Sequence, residues 1–385
     1  MIKNSSSKKV PFFIPKISND DKKKMFKILD SIILTNGKNT EKFEKSFAKY
    51  CKSRYATAVS NATSALHLSL LSLKIKKGDE VIVPNITFLA TANSILMAGA
   101  TPVIVDVDSQ DHNIDVNSIK DSITKKTKAI IPVHMAGKSC KIDDIVKIAR
   151  KNNLFVIEDC AHAIGTKFKN QHVGTFGDVG CFSFYPTKNI TTLEGGMIIT
   201  NSRKISENSK ISRNHGITRT LNERYSVGYP WEYDVKEFGY NYRIDEMRST
   251  LGINQLKRIN KINSSRRKSF RYYNKLLSKV DGILLPDLEN LQENSCHLYR
   301  IGIDKKQFGI DRNTIFKKLA QKNIITSVHY KPLSLFTIFK KKAKIYSPLH
   351  NSLEIYKNTL SLPFYTNISK SEQEKVVKAL ITIKN

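Results

Sequence analysis

Residues 180–197 read GCFSFYPTKNITTLEGGM. The apolar run Cys181–Phe184 reads as a buried strand, and Met197–Thr200 reads as the next one. Between them lies a loop with one lysine, Lys188, and a glycine pair, Gly195 and Gly196. Glycines let backbone pass close to backbone or to a ligand. A lysine desolvated on such a loop has a lowered pKa and can form an imine with an aldehyde. One lysine in a chain with 64 Lys and Arg says little by itself. Its position after Ser183 and before the glycine pair says more.

Upstream the same texture recurs. Short β-branched runs at Tyr55–Val59, Val81–Val83, Val103–Val105, Ala129–Val133 and Leu154–Ile157 alternate with helix-like segments such as Ala65–Leu73, Leu89–Ala98 and Lys141–Lys151. This order predicts an α/β fold, with a mostly parallel seven-stranded sheet covered on both faces. Polar residues follow the strands: Asn61 and Thr63, Thr87, Asp106, His134, Glu158 and Asp159. In open α/β sheets ligands sit outside the carboxyl ends of the strands, so these residues mark the expected site.

Two of those strand ends are chemically specific. Ser60–Leu66 (SNATSAL) leaves a strand and opens a helix. Free N–H groups and the helix dipole favour a phosphate there, although Ser, Asn and Thr are also ordinary N-caps. Phe155–Ala163 (FVIEDCAHA) runs an apolar strand into two carboxylates. A carboxylate such as Asp159 can keep a pyridine nitrogen protonated, so that the ring acts as an electron sink. The plain alternative is a pair of solvated acids, with His162 an ordinary helix residue.

From about Ile253 the texture changes. A basic helical stretch runs from Gln255 to about Leu277, followed by a strand candidate, Leu298–Ile303, and a helix candidate, Asp311–Gln321. We therefore expect a large domain over residues 1–252, with its first ten residues as an arm, and a smaller C-terminal α+β domain over 253–385.

Lys and Arg outnumber Asp and Glu by 64 to 34, for a net charge of +30. The lysines are spread from Lys3 to Lys384 without an arginine-rich stripe, which reads as solvated helix faces. No specific nucleic-acid partner is expected, although the positive field can attract an anionic substrate. The five cysteines are scattered without a CxxC pair. That argues against a metal site or disulfide framework and for reduced thiols in the cytoplasm. No apolar leader run follows Met1, and the uncharged stretch Asn85–Val105 contains Asn, Thr, Gly and Pro, so neither a signal peptide nor membrane insertion is expected.

Together these stretches resemble the DegT/DnrJ/EryC1/StrS aminotransferases. The resemblance is carried in order by GKNTEKFEKSFAKY (37–50), SNATSALHLSL, GDEVIVPNITFLAT (78–91), GATPVIVD (99–106), IIPVHMAG, VIEDCAHAIG and VGTFGDVGCFSFYPTKNITTLEGGMIITN. It continues through RNHG (213–216), FGYNYR (238–243), SVHYKPL and LSLPF (360–364). It implies a fold-type-I enzyme dependent on pyridoxal 5'-phosphate, built as a homodimer with shared active sites. The reaction implied moves an amino group from L-glutamate to a nucleotide-linked keto sugar by a ping-pong mechanism. By position, Lys188 carries the cofactor and shuttles the proton, Asp159 pairs with the ring nitrogen, and His162 lies near the ring hydroxyl. Ala62, Thr63 and Ser183 match phosphate ligands, Phe88 the aromatic residue on the ring, and Asn241 the residue reaching the phosphate from the partner. His329, Tyr330, Arg213 and His215 are the expected substrate contacts, with core packing the plain alternative for Tyr330. Ala62 replaces the more usual Gly, and Ser334 stands where a second His often follows. Related members that aminate a cyclitol or form an aminohydroxybenzoate, and a non-catalytic PLP-binding regulator, are the alternative readings.

Overall fold

The computed structural model describes residues 9–219, 229–235 and 237–384. Residues 1–8 of the expected N-terminal arm lie outside the described residues.

The central sheet has seven strands: β1 (Tyr55–Val59), β2 (Glu80–Pro84), β3 (Thr101–Val105), β4 (Thr127–Ile130), β5 (Phe155–Asp159), β8 (Val179–Ser183) and β9 (Gly196–Thr200). A small hairpin, β6 (Lys167–Phe168) and β7 (Gln171–His172), lies between β5 and β8 in the chain. The sheet order is β1-β9-β8-β5-β4-β2-β3. Only β9 runs antiparallel to its neighbours; the remaining pairs are parallel. This is the mostly parallel sheet that the alternating sequence predicts.

Side chains alternate across each strand, and both sets find a helical cover. On one face Val81, Val83, Ile104, Ala129, Ile157, Cys181 and Ile198 join the core made with the helices Ala62–Ser72 and Leu89–Met97. On the other, Ile82, Val103, Val105, Ile130 and Val156 pack with Ile142, Ile145 and Ala149 of the helix Ile142–Lys151. Ala58, Phe182, Met197 and Ile199 pack against Phe43 and Phe47 of the helix Lys38–Cys51.

The fourth strand ends earlier than its apolar run suggests. Pro132 has no N–H to give to a ladder, so regular pairing stops at Ile130 and resumes at the single bridge Val133–Asp159. The basic stretch from Gln255 is two helices, Glu246–Leu256 and Ile259–Leu277, separated at Lys257–Arg258. Ile253, Leu256 and Ile259 still pack beside Phe43 and Phe47, whereas Phe270, Tyr273 and Leu277 enter a second core.

That second core lies against a three-stranded antiparallel sheet, β10 (Ile283–Leu284), β11 (Tyr299–Ile303) and β12 (Thr359–Leu362). The helices Arg312–Gln321 and Lys370–Lys384 contribute Ile315, Leu319, Val376 and Leu380 to it. Val10, from the start of the described chain, is buried in the same core and bonded to the Asn323 carbonyl and the Ile325 N–H. Among the described residues, no helix is long and apolar enough to cross a membrane.

Candidate active site

Asp159 ends β5 on the same face as Ile157, beside the helix Leu89–Met97. Its carboxylate is buried, accepting from the Thr91 hydroxyl at 2.9 Å and the Ala161 N–H at 3.1 Å. Burial pushes its pKa up, opposed by those two donors and by the nearby Lys188 ammonium. Glu158 turns to the other face. There it is fully buried and accepts from the N–H groups of Gly174, Phe176 and Gly177 at 2.6–2.8 Å, and it pairs with His134 Nε2 at 3.0 Å. The Cys140 N–H points at His134 Nδ1, so Nε2 carries the hydrogen and donates to Glu158.

Lys188 sits on the loop that leaves β8. Thr191 Oγ1 and the Thr192 N–H both bond back to the Phe184 carbonyl, and the Lys188 N–H bonds to the Tyr185 carbonyl. Asn189 pins the loop from below, donating to Asn263 Oδ1 at 2.8 Å and to the Ser295 carbonyl at 2.7 Å. Lys188 is half-buried on this rigid loop. Burial lowers its ammonium to about 8, against the pull of Asp159 in the opposite direction. The two groups that the sequence picks out are thus brought within electrostatic range.

The third expected group also converges. Val59 of β1, Gly196 of β9 and Ser183 of β8 lie opposite one another across the sheet. A Cβ on Gly196 would fall 2.4 Å from the Asn61 carbonyl oxygen and 2.8 Å from the Ala62 nitrogen. The bare glycine therefore lets the start of the helix Ala62–Ser72 lie directly on β9, next to Ser183. Asn61 caps that helix through the Ser64 N–H. The Ala62 and Thr63 N–H groups have no acceptor among the described residues, so together with Ser183 Oγ they form a cradle for an anion.

His162 and Tyr330 close another side. The Ala136 N–H donates to His162 Nδ1 at 3.3 Å, so Nε2 carries the hydrogen and donates to Tyr330 Oη at 3.0 Å. Burial keeps His162 neutral, far below the usual histidine pKa. His297 packs on its other side with ring centroids 4.5 Å apart. Phe88, which is exposed, lies 5.9 Å from the Tyr330 ring. His329 bonds Ser361 Oγ at 2.9 Å and stacks on Phe12.

Three expected residues make other contacts in the single chain. Asn241 is exposed on a segment that pairs with Asn214. Arg213 is buried, bonded to Glu44 at 2.6 Å and to the Ala58 carbonyl. His215 is exposed, with φ +59°. Conversely, Thr91, Asn189 and His297 support the site and were not singled out from the sequence. Thr91 was the most accessible of these, since it falls four residues after Thr87 in a helix that starts at a strand end.

The residues fit pyridoxal phosphate. Two helix-start N–H groups beside Ser183, a carboxylate for a ring nitrogen and a lysine with a lowered pKa stand around the same strand ends. A profile of the DegT/DnrJ/EryC1/StrS aminotransferase family matches residues 15–381. The spore coat polysaccharide biosynthesis protein SpsC of Bacillus subtilis is 35% identical over 373 residues, covering 96% of each chain. PseC of Helicobacter pylori, an aminotransferase involved in the biosynthesis of pseudoaminic acid, superposes with a TM-score of 0.89 at 30% identity, over 98% of this chain and 99% of that one. Spr1654 of Streptococcus pneumoniae in its PLP form gives 0.88 at 28% identity, with coverages of 98% and 99%. The chain belongs to the DegT/DnrJ/EryC1/StrS family and is a pyridoxal-phosphate-dependent aminotransferase.

Proposed function

We propose that the enzyme takes an amino group from L-glutamate and places it on a nucleotide-linked keto sugar, of the 4-keto-6-deoxy type, in two successive half-reactions. The observation that carries this reading is the placement of Lys188. Its amine is lowered to about 8 within electrostatic range of the buried Asp159, on the loop that follows Ser183. The sugar-pathway names of SpsC and PseC support the acceptor class.

When bound, pyridoxal phosphate supplies an electron-withdrawing ring that stabilises negative charge at the carbon losing its proton. The protein's residues do the rest. Asp159 holds a proton on the ring nitrogen, and Thr91 and the Ala161 N–H fix its carboxylate for that task. The N–H groups of Ala62 and Thr63, the Thr63 hydroxyl and Ser183 Oγ would hold the phosphate. Phe88 would lie against the ring. His162, neutral and bonded through Nε2 to Tyr330, would stand near the ring hydroxyl. Lys188 Nζ, neutral for a large fraction of the time near pH 8, takes the donor's α-proton and later returns a proton on the acceptor side. His329 and Tyr330 line the acceptor cleft.

The same reading makes the protein a homodimer, in which Asn241 serves the partner's phosphate. The exposed apolar residues Phe26, Leu29, Ile32, Ile33 and Leu34 support an association surface. All five cysteines are buried and unpaired, which supports a reducing cytoplasmic setting.

The test is the visible spectrum of the purified holoenzyme before and after L-glutamate, then after a nucleotide 4-keto sugar. The reading requires the band to bleach with glutamate and to recover with the sugar. Bleaching without recovery would remove the acceptor, and no bleaching would remove the donor.

A further inference from the structure

Beside the site lies a cavity of about 500 Å³ between the residue 109–112 turn, the residues around Ala136 and the outer face of β11. On β11, Tyr299, Ile301 and Ile303 point into the second core. Arg300 and Gly302 point the other way and line this cavity. Arg300 is 8% exposed, and its Nε and Nη2 have no hydrogen-bond partner.

A buried guanidinium without partners is costly and needs a reason. The acids on the cavity wall do not supply a counter-charge. Glu354 is bonded to Lys357 and Asn358, Asp287 to Lys138, and Asp111 to the Asn113 N–H. Arg300 pairs across the sheet with Ser361, whose hydroxyl is bonded to His329 at 2.9 Å, and its charge acts on His329, His162 and Tyr330. The cation therefore sits on the rim of the active site.

We infer that Arg300 binds a carboxylate of the amino donor. Nε and Nη2 form the side edge of the guanidinium fork, the edge that pairs with both oxygens of a carboxylate. No hydrogen bond ties this edge in place, so rotating it toward a ligand in the cavity forfeits none. One buried positive charge is matched by one carboxylate; Lys138 on the same wall is already paired with Asp287, so among the described residues the cavity offers no second unpaired cation for a polyanion such as a sugar diphosphate. The assignment rests on the transaminase reading above and extends it to the donor's recognition.

The experiment compares wild type with Arg300→Met and Arg300→Lys. Followed by bleaching of the visible band, the half-saturating L-glutamate concentration should rise on the order of 10- to 100-fold in the Met variant, with the limiting rate little changed. Arg300→Lys should restore part of this. L-alanine separates the two donor carboxylates. If Arg300 reads the side-chain carboxylate, the response to alanine is the same in all three proteins; if it reads the α-carboxylate, alanine weakens in parallel with glutamate. A purely structural role would appear instead as a loss of thermal stability in Arg300→Met, whereas removing an unpaired buried cation should leave stability equal or higher. A second arm titrates glutarate into the holoenzyme by calorimetry, and binding should be present in wild type and lost in Arg300→Met. This arm holds even if glutamate is not the donor, so failure of the donor reading and failure of the Arg300 assignment stay distinct. Unchanged glutamate saturation together with unchanged glutarate binding overturns the proposal. A shift seen only in the sugar half-reaction overturns it too, in favour of a diphosphate.

Discussion

Glu158 and Asp159 are consecutive residues that serve opposite faces of β5. Glu158 gathers three backbone N–H groups of the 174–177 turn and His134, while Asp159 faces Thr91 and Lys188. One carboxylate is thus an anchor for the fold, the other faces the lysine, and the strand's two-residue period separates them.

Glu158→Gln should therefore destabilise the protein without changing its chemistry. The new amide places a donor among groups that are all donors, and it removes the charge that strengthens their hydrogen bonds. We expect a loss of about 2–4 kcal/mol in denaturant unfolding, with near-normal turnover per folded molecule. A variant as stable as wild type would show that Glu158 is not the anchor described.

Asp159→Asn should do the reverse. The Asp159 pKa is raised by burial, so the folded state holds its proton more tightly than the unfolded state does. Stability from this group is lost as pH rises from the ordinary carboxylate value through the raised one, and at neutral pH the charged form is a cost. Apo Asp159→Asn should consequently unfold at the same or higher denaturant concentration than wild type at pH 7. Turnover should fall on the order of 100-fold or more, because an amide cannot hold the charge that keeps the ring nitrogen protonated.

Lys188 gives a prediction with a pH signature. In the apo protein its pKa is lowered to about 8 from 10.5. Between these values the unfolded chain binds more protons than the folded one, so wild-type stability should rise with pH across that window. Measured against Lys188→Met, the difference should change by about 3 kcal/mol between pH 7.5 and 11. The Met variant should also lack turnover and the visible band of the bound cofactor. A flat stability difference across this range would show that the amine is not desolvated in the fold.

Much of this was legible in the sequence because the signals are local. Strands buried on both faces leave apolar runs such as Val81–Val83, and the residues after them mark the site. Lys188 and Asp159 could be named from their places after strands, and Ser183 from the family resemblance. What was not legible depends on contacts far apart in the chain. Asn189 meets Ser295, His162 meets His297, and Arg300 approaches Tyr330 only once the second sheet packs beside the first. The division of labour between Glu158 and Asp159 was also hidden. Two adjacent acids look alike until the 174–177 turn folds back over one of them.

Gly196 tests whether the anion cradle depends on close backbone contact. Its φ is not in the left-handed region, so a substitution there acts through sterics and not through backbone strain. In Gly196→Ala the new methyl would meet the Asn61 carbonyl and the Ala62 nitrogen at 2.4–2.8 Å, and backbone atoms cannot rotate away. Either β9 or the start of the helix Ala62–Ser72 must move, at a cost of about 1–3 kcal/mol. That movement pulls the Ala62 and Thr63 N–H groups away from Ser183, so cofactor affinity should fall as well, read by titrating pyridoxal phosphate into the apo protein and following the visible band. Gly78→Ala is the control. Gly78 has φ +96° with open space around it, so alanine there costs only about 1–2 kcal/mol of backbone strain. Its cofactor titration should match wild type, and equal affinities in all three proteins would show that the helix start does not hold the phosphate.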